Sequence, residues 1–153
     1  VCGAGSFSDE LENQIRSRGL EKVIRFHGYC DAKSQRDIFA TTHAFIVPTR
    51  SDFEEGFNKV CAEGVLSLRP VITSTVGPAL SYMRDAALEV SPDDVDGYYQ
   101  AILKLSKDKM LYASKAQACK SVREVFFDQN NSYAAKLQEV LTLILDRQVL
   151  EVT

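Results

Sequence analysis

Tryptophan is absent from the 153-residue chain, methionine and histidine each occur only twice, and no block of lysine and arginine stands anywhere in it. No apolar run approaches the ~18 residues of a membrane-spanning helix, the longest candidate, Val140–Leu145, being far shorter. The first residues carry no signal-peptide pattern. A net charge of −3 without a basic stripe argues against duplex nucleic acid as a partner. Cys2, Cys30, Cys61 and Cys119 include no C-x-x-C pair, and His27 and His43 have no companion at ligand spacing, so no metal site is expected. Scattered in this way, the cysteines read as buried reduced thiols of a reducing compartment, which points to a cytoplasmic protein. There is no G-x-S-x-G elbow and no P-loop, and the Gly3-Ala4-Gly5 turn lacks the third glycine of a dinucleotide fingerprint.

What the chain does contain is alternation. Val1–Cys2 reads as a strand end, followed by the glycine turn and a helix capped by Ser6 or Ser8, with Leu11 and Ile15 inward and Gly19 as its stop. Val23, Ile24 and Phe26 form a short buried strand closed by His27-Gly28. A helix over Ala32–Thr41 carries Ile38 and Phe39 inward. Ala44–Val47, stopped by Pro48, has the unbroken apolar character of an inner parallel strand. Further strands are expected at Pro70–Thr73 and Ala87–Val90, and helices at Val95–Leu105, Lys109–Phe127 and Ser132–Arg147, with Asp128–Asn131 as a break. Strands and helices alternating at this length predict an α/β fold with a parallel sheet and right-handed crossovers. In such sheets ligands bind beyond the carboxyl ends of the strands. That rule gathers Gly3–Ser6, Gly28–Asp31, Pro48–Asn58 and Ser74–Pro78 on one edge.

Within that set the stretch Phe53–Arg69 is the most informative. Read as one helix, it stacks Glu55, Lys59 and Glu63 within about 40° of one another, with Val60, Ala62, Val65 and Leu66 available for the core. A solvated Glu55–Lys59–Glu63 ladder is the plain explanation, worth a few tenths of a kcal/mol per pair. The position of the stretch after an apolar strand favours another. Gly56-Phe57-Asn58 would present N–H groups and a positive helix end to an anion, and a carboxylate beside them would accept hydroxyl hydrogen bonds.

The run Glu55 to Glu63, EGFNKVCAE, resembles the E-x7-E motif of retaining glycosyltransferases of the GT-B fold. The similar family is the large group 1 (family 4-like) set that includes bacterial polysaccharide and glycolipid enzymes. VIRFHG (Val23–Gly28), HAFIVPT (His43–Thr49), RPVITSTVGP (Arg69–Pro78) and ALEVSPDD (Ala87–Asp94) resemble its other segments in order, covering about residues 1–106. The resemblance implies one Rossmann-like domain, 1–106 as nucleotide-sugar-binding core and 107–153 as carboxyl-terminal helices, within a longer two-domain enzyme whose last helix crosses back to the other half.

By position, Glu55 would be the catalytic carboxylate at the donor sugar, and Gly56, Phe57, Asn58, Thr75 and Gly77 would contact sugar and diphosphate. Glu63 would bind the ribose, and Gly28 and Tyr29 would border the base. The implied partner is a UDP-, GDP- or ADP-sugar, with no metal and no further cofactor. A membrane would be met, if at all, only peripherally, through an acceptor-binding domain that this stretch does not include. Two other readings share the fold: a non-catalytic nucleotide- or carbohydrate-binding module, and a nucleotide-sugar epimerase.

Three departures from the family pattern stand out. Asn58 and Leu68 occupy positions that are usually glycine; the first puts donor preference at issue, and the second is expected to alter only local packing. The basic pair that clamps the donor phosphates lies upstream of Val1 in the family. By that expectation the chain is a piece of a longer protein, binding a nucleotide weakly and catalysing nothing by itself.

Overall fold

The computed structural model describes residues Val1–Leu150, with side chains to Leu145. They fall into two compact units, one over Val1–Thr42 and the other from His43 onward.

The first unit holds α1 (Ser8–Ser17) and α2 (Ala32–Thr41). Ile15 is the buried residue of α1. Ser8 caps no helix: its hydroxyl accepts from the Gly5 N–H at 2.9 Å. Gly19, at φ +64°, ends α1 as expected, with Gly19 N–H on Arg16 and Leu20 N–H on Ile15. Asp31 caps α2 through the Ser34 N–H at 2.8 Å. The expected strand at Val23–Phe26 is not formed, and Val23 is 80% exposed. Val1 and His27 do begin a parallel pairing: the Val1 amino group donates to the Arg25 carbonyl and the His27 N–H to the Val1 carbonyl. The next bond runs from Gly3 N–H to the Gly28 carbonyl, one residue past the register a ladder requires. Gly28, at φ +62°, turns the chain there. Cys2 is exposed, contrary to the expected burial, whereas Cys30, Cys61 and Cys119 are buried and free.

The second unit is built on a parallel sheet of β1 (Phe45–Val47), β2 (Val71–Ser74) and β3 (Ala87–Val90), in the order β1-β2-β3. Phe45 pairs with Val71, and Thr73 with Glu89. All four residues of β2 are buried, as its central place demands. β1 is parallel but lies at the edge of this sheet rather than inside it, and Ile46 is 48% exposed. The helices are α3 (Lys59–Leu66), α4 (Leu80–Met83), α5 (Val95–Lys107), α6 (Lys109–Val122) and α7 (Tyr133–Leu150). The expected single helix over Lys109–Phe127 stops at Val122 and tightens into a 3-10 turn, Arg123–Phe127. On one side of the sheet Ile72, Val90 and Leu105 form a core cluster against which Tyr98 and Tyr112 pack. No helix among the described residues is long and apolar enough to cross a membrane.

The helix of Phe53–Arg69 begins later than its charge spacing suggests. Asn58 is the N-cap, its Oδ1 accepting from the Val60 N–H at 3.0 Å, so Glu55 precedes the helix and shares no face with Glu63. Cys61, Ala62, Gly64 and Val65 are the buried positions, while Val60 and Leu66 are exposed. A Cβ on Gly64 would lie 2.8 Å from Val71 Cγ2 and 3.1 Å from the Phe45 ring, so only glycine lets α3 approach β1 and β2 this closely. The helix ends in a doubly bonded turn, with Leu68 N–H on Val65 and Arg69 N–H on Gly64. Leu68 sits in the left-handed region at φ +59°, where a side chain costs roughly 1–2 kcal/mol and glycine nothing. The departure at Leu68 therefore burdens the backbone as well as the packing.

Gly64→Val should destabilise the domain by about 2 kcal/mol or more, by overpacking against Val71 and Phe45. Gly56→Ala meets open space and should leave the midpoint of urea unfolding nearly unchanged. Asn58→Ala, which removes the cap, should cost about 1 kcal/mol in the same measurement.

Candidate functional site

Because the three strands run parallel, the loops after β1, β2 and β3 emerge at the same end of the sheet. The end of β1 is fastened there from several sides. The Val47 carbonyl accepts from Thr73 Oγ1 at 3.0 Å, from Tyr98 Oη at 3.2 Å and from the Thr49 N–H at 3.1 Å. Burial pushes the Tyr98 phenol up to about 12, so that it stays protonated, and a donor, well into the alkaline range. Burial also raises the Cys61 thiol, with the hydrogen bond to Thr73 opposing and the charge of Glu55 reinforcing, so Cys61 is packing rather than nucleophile.

Beyond Val47 the chain makes a cavity of about 460 Å³, lined among others by Pro48, Thr49, Arg50, Asp52, Glu55 and Asn58. Glu55 is half-buried there and held at both oxygens: Thr49 Oγ1 donates to Oε2 at 2.6 Å and Asn58 Nδ2 to Oε1 at 2.5 Å. Asn58 thereby does two things at once, capping α3 with its oxygen and fixing Glu55 with its nitrogen. One bond per oxygen leaves further lone pairs for a ligand. At the helix start the Gly56, Phe57 and Lys59 N–H groups donate to no acceptor among the described residues. Lys59 makes no ion pair with Glu55 or Glu63 among those residues, so the plain ladder does not form.

The remaining expected residues are distributed as follows. Glu63 lies half-buried along α3, outside the lining of this cavity. The Phe57 ring is engaged edge-on by Tyr82 at 5.8 Å and Phe126 at 6.1 Å. Thr75 is exposed, and its N–H continues the sheet to the Val90 carbonyl at 2.9 Å. Gly77 is buried, with a Cβ there falling 3.3 Å from the Ser74 carbonyl, so the turn after β2 needs glycine for space. Gly28 and Tyr29 belong to the first unit, where Tyr29 is 84% exposed. No group of three His, Cys, Asp or Glu able to hold a metal occurs among the described residues.

Sequence reasoning missed Thr49, Ser51 and Asp93. The N–H and hydroxyl of Ser51 both donate to Asp93 Oδ2, which ties the loop after β1 to the loop after β3. The Ser51 hydroxyl above all, helped by its N–H and by the charge of Arg50, holds the Asp93 carboxyl below its ordinary range against desolvation. Arg50 pairs with Asp52 at 2.7 Å, an exposed contact of little energetic weight. Thr49 carried a signal, a hydroxyl directly after the strand-ending proline; nothing local marked Ser51 and Asp93, whose bond spans the intervening elements.

Known proteins share this architecture. The chain is 25% identical over 148 residues to mannosylfructose-phosphate synthase of Agrobacterium fabrum, covering 94% of itself and 31% of that protein. It thus spans about a third of the curated relative's length. Its structure superposes on sucrose-phosphate synthase of Thermosynechococcus elongatus with a TM-score of 0.71 at 20% identity, covering 99% of this chain and 38% of that one. HepE of Anabaena, in complex with UDP and glucose, gives a TM-score of 0.72 at 22% identity, covering 93% and 39%. A carboxyl-terminal domain of a group 1 glycosyl transferase from Francisella tularensis gives 0.68 at 21%, covering 80% and 63%. The fold is accordingly the Rossmann-like α/β fold of the carboxyl-terminal half of GT-B glycosyltransferases. Residues 1–108 match the family of glycosyl transferases group 1, and the chain belongs to that family.

Proposed function

We propose that this chain is the donor-binding part of a retaining, metal-independent glycosyltransferase, taking a nucleotide-diphosphate sugar and passing its glycosyl group to an acceptor held by another domain. The observation that carries the reading is Glu55, tethered by Thr49 and Asn58 at the carboxyl end of β1, beside N–H groups at the start of α3. The solved HepE structures hold UDP with glucose, or UDP-glucose, on the same fold, which makes a uridine nucleotide the first donor to try.

In this reading the sugar hydroxyls donate to the lone pairs of Glu55 that Thr49 and Asn58 leave unused. The Gly56, Phe57 and Lys59 N–H groups face the diphosphate, where charge builds up as the glycosyl bond breaks. Donors already fixed in place stabilise that charge without rearranging. Thr75 and Gly77 border the phosphates from the neighbouring loop, and Glu63 takes the ribose hydroxyls. Asn58, standing where the family usually has glycine, narrows the space at the sugar and so bears on which donor is accepted.

The test is transfer by the full-length protein with a panel of UDP-, GDP- and ADP-sugars. Glu55→Ala should lower kcat by about 10²–10³, as expected for loss of a group aimed at the reacting sugar. Glu63→Ala should raise the donor KM about 10- to 100-fold with a smaller change in kcat, since a bond to a charged acceptor is lost in ground and transition state alike. Unchanged turnover in both variants, with unchanged melting temperatures, would sink the assignment.

A further inference from the structure

We propose that Asp93 is a positioning residue for the donor site: through Ser51 it pins the loop between β1 and α3, and thereby sets donor affinity. This rests on the reading of the cavity given above, but the pin itself is a matter of geometry. Ser51 lies between Arg50 and Asp52, both of which line the cavity with Glu55. Its N–H, at 3.3 Å, and its hydroxyl meet the same oxygen of Asp93, 42 residues away in the sequence. Holding backbone and side chain of one residue together fixes both the place of the loop and its rotation.

The backbone of Asp93 makes the same point. Its φ is +61°, a conformation that costs a side chain energy and that glycine would adopt freely. The helix that follows does not require an aspartate there, because the adjacent Asp94 caps α5 through the Gly97 N–H at 2.8 Å. Asp93 reaches instead to Ser51, and Arg50 beside it adds charge attraction. α5 is in turn fixed to the sheet, by Leu105 in the core cluster and by Tyr98 on the Val47 carbonyl. A strained residue in the short turn between β3 and the anchored α5, spending its side chain on a loop of the site, is the pattern expected of preorganisation.

The experiment separates strain from pinning. In the full-length protein, Asp93→Gly relieves the strain and removes the pin, Ser51→Ala removes the hydroxyl bond without touching φ, and Asp93→Asn keeps both an acceptor and a residue tolerant of positive φ. Asp93→Gly should melt no lower than the parent, yet trypsin should cut the Arg50–Ser51 bond about tenfold faster, as fragment masses report. Its donor KM should rise by about the same factor with kcat within about twofold. Ser51→Ala should move both readouts in the same direction, and Asp93→Asn should restore most of each. Unchanged cleavage in both Asp93→Gly and Ser51→Ala overturns the pin. Faster cleavage with an unchanged donor KM overturns its role in donor affinity. Failure of the underlying site reading shows separately, as transfer unaffected by Glu55→Ala.

Discussion

A helix can lie this close to a sheet only where the residue at the crossing has no side chain, and Gly64 supplies that crossing. With Val71 Cγ2 only 2.8 Å and the Phe45 ring 3.1 Å from where its Cβ would be, α3 is locked onto β1 and β2 along its buried positions Cys61, Ala62 and Val65. The rest of the site follows from this contact. Once the middle of the helix is fixed against the sheet, its first turn must begin near the end of β1, and the chain between Val47 and Asn58 must close that gap. The positive end of the helix and the loop carrying Glu55 are thereby brought to the same place by packing alone.

What packing leaves undetermined, hydrogen bonds fix. Glu55 in an open loop would have rotamer freedom, and a carboxylate beside a helix start could equally turn back to cap it. Asn58 prevents that by taking the cap itself and offering its amide to Glu55. Thr49, 8% exposed and one residue past Pro48, restrains the other oxygen. A half-buried carboxylate bonded once at each oxygen loses little by its partial burial and gains direction, while lone pairs remain. The cost of this arrangement is a side chain at position 58, which fills space beside the cavity.

Much of the second unit was legible because its elements are locally consistent. Apolar runs such as Phe45–Val47 and Val71–Ser74, each followed by proline or a turn, have few other ways to bury themselves. The errors came where one local signal stood for two structures. Glu55, Lys59 and Glu63 at intervals of four satisfy helical periodicity, but Asn58 satisfies the N-cap rule, and the cap sets the boundary. Val23–Phe26 has strand composition, yet a strand also needs a ladder in register, which the chain loses between Gly3 and Gly28. The edge place of β1 and the exposure of Cys2 depend on which neighbours are present, a property no stretch of sequence carries. The Ser51–Asp93 link was invisible for the same reason.

The donors and acceptors left over at the end of β1 constrain what can sit there. Tethered as it is, the carboxylate of Glu55 can only accept, so a ligand must bring it hydroxyl or amine hydrogens. The N–H groups of Gly56, Phe57 and Lys59 can only donate, so the same ligand must also bring lone pairs, preferably charged, to a helix start that favours anions. A simple anion would meet repulsion at Glu55, and a neutral sugar would leave the N–H groups without a charged partner. A molecule with hydroxyls at one end and phosphate oxygens next to them satisfies both halves at once, and within the family to which this chain belongs that description fits the nucleotide-sugar proposed as donor.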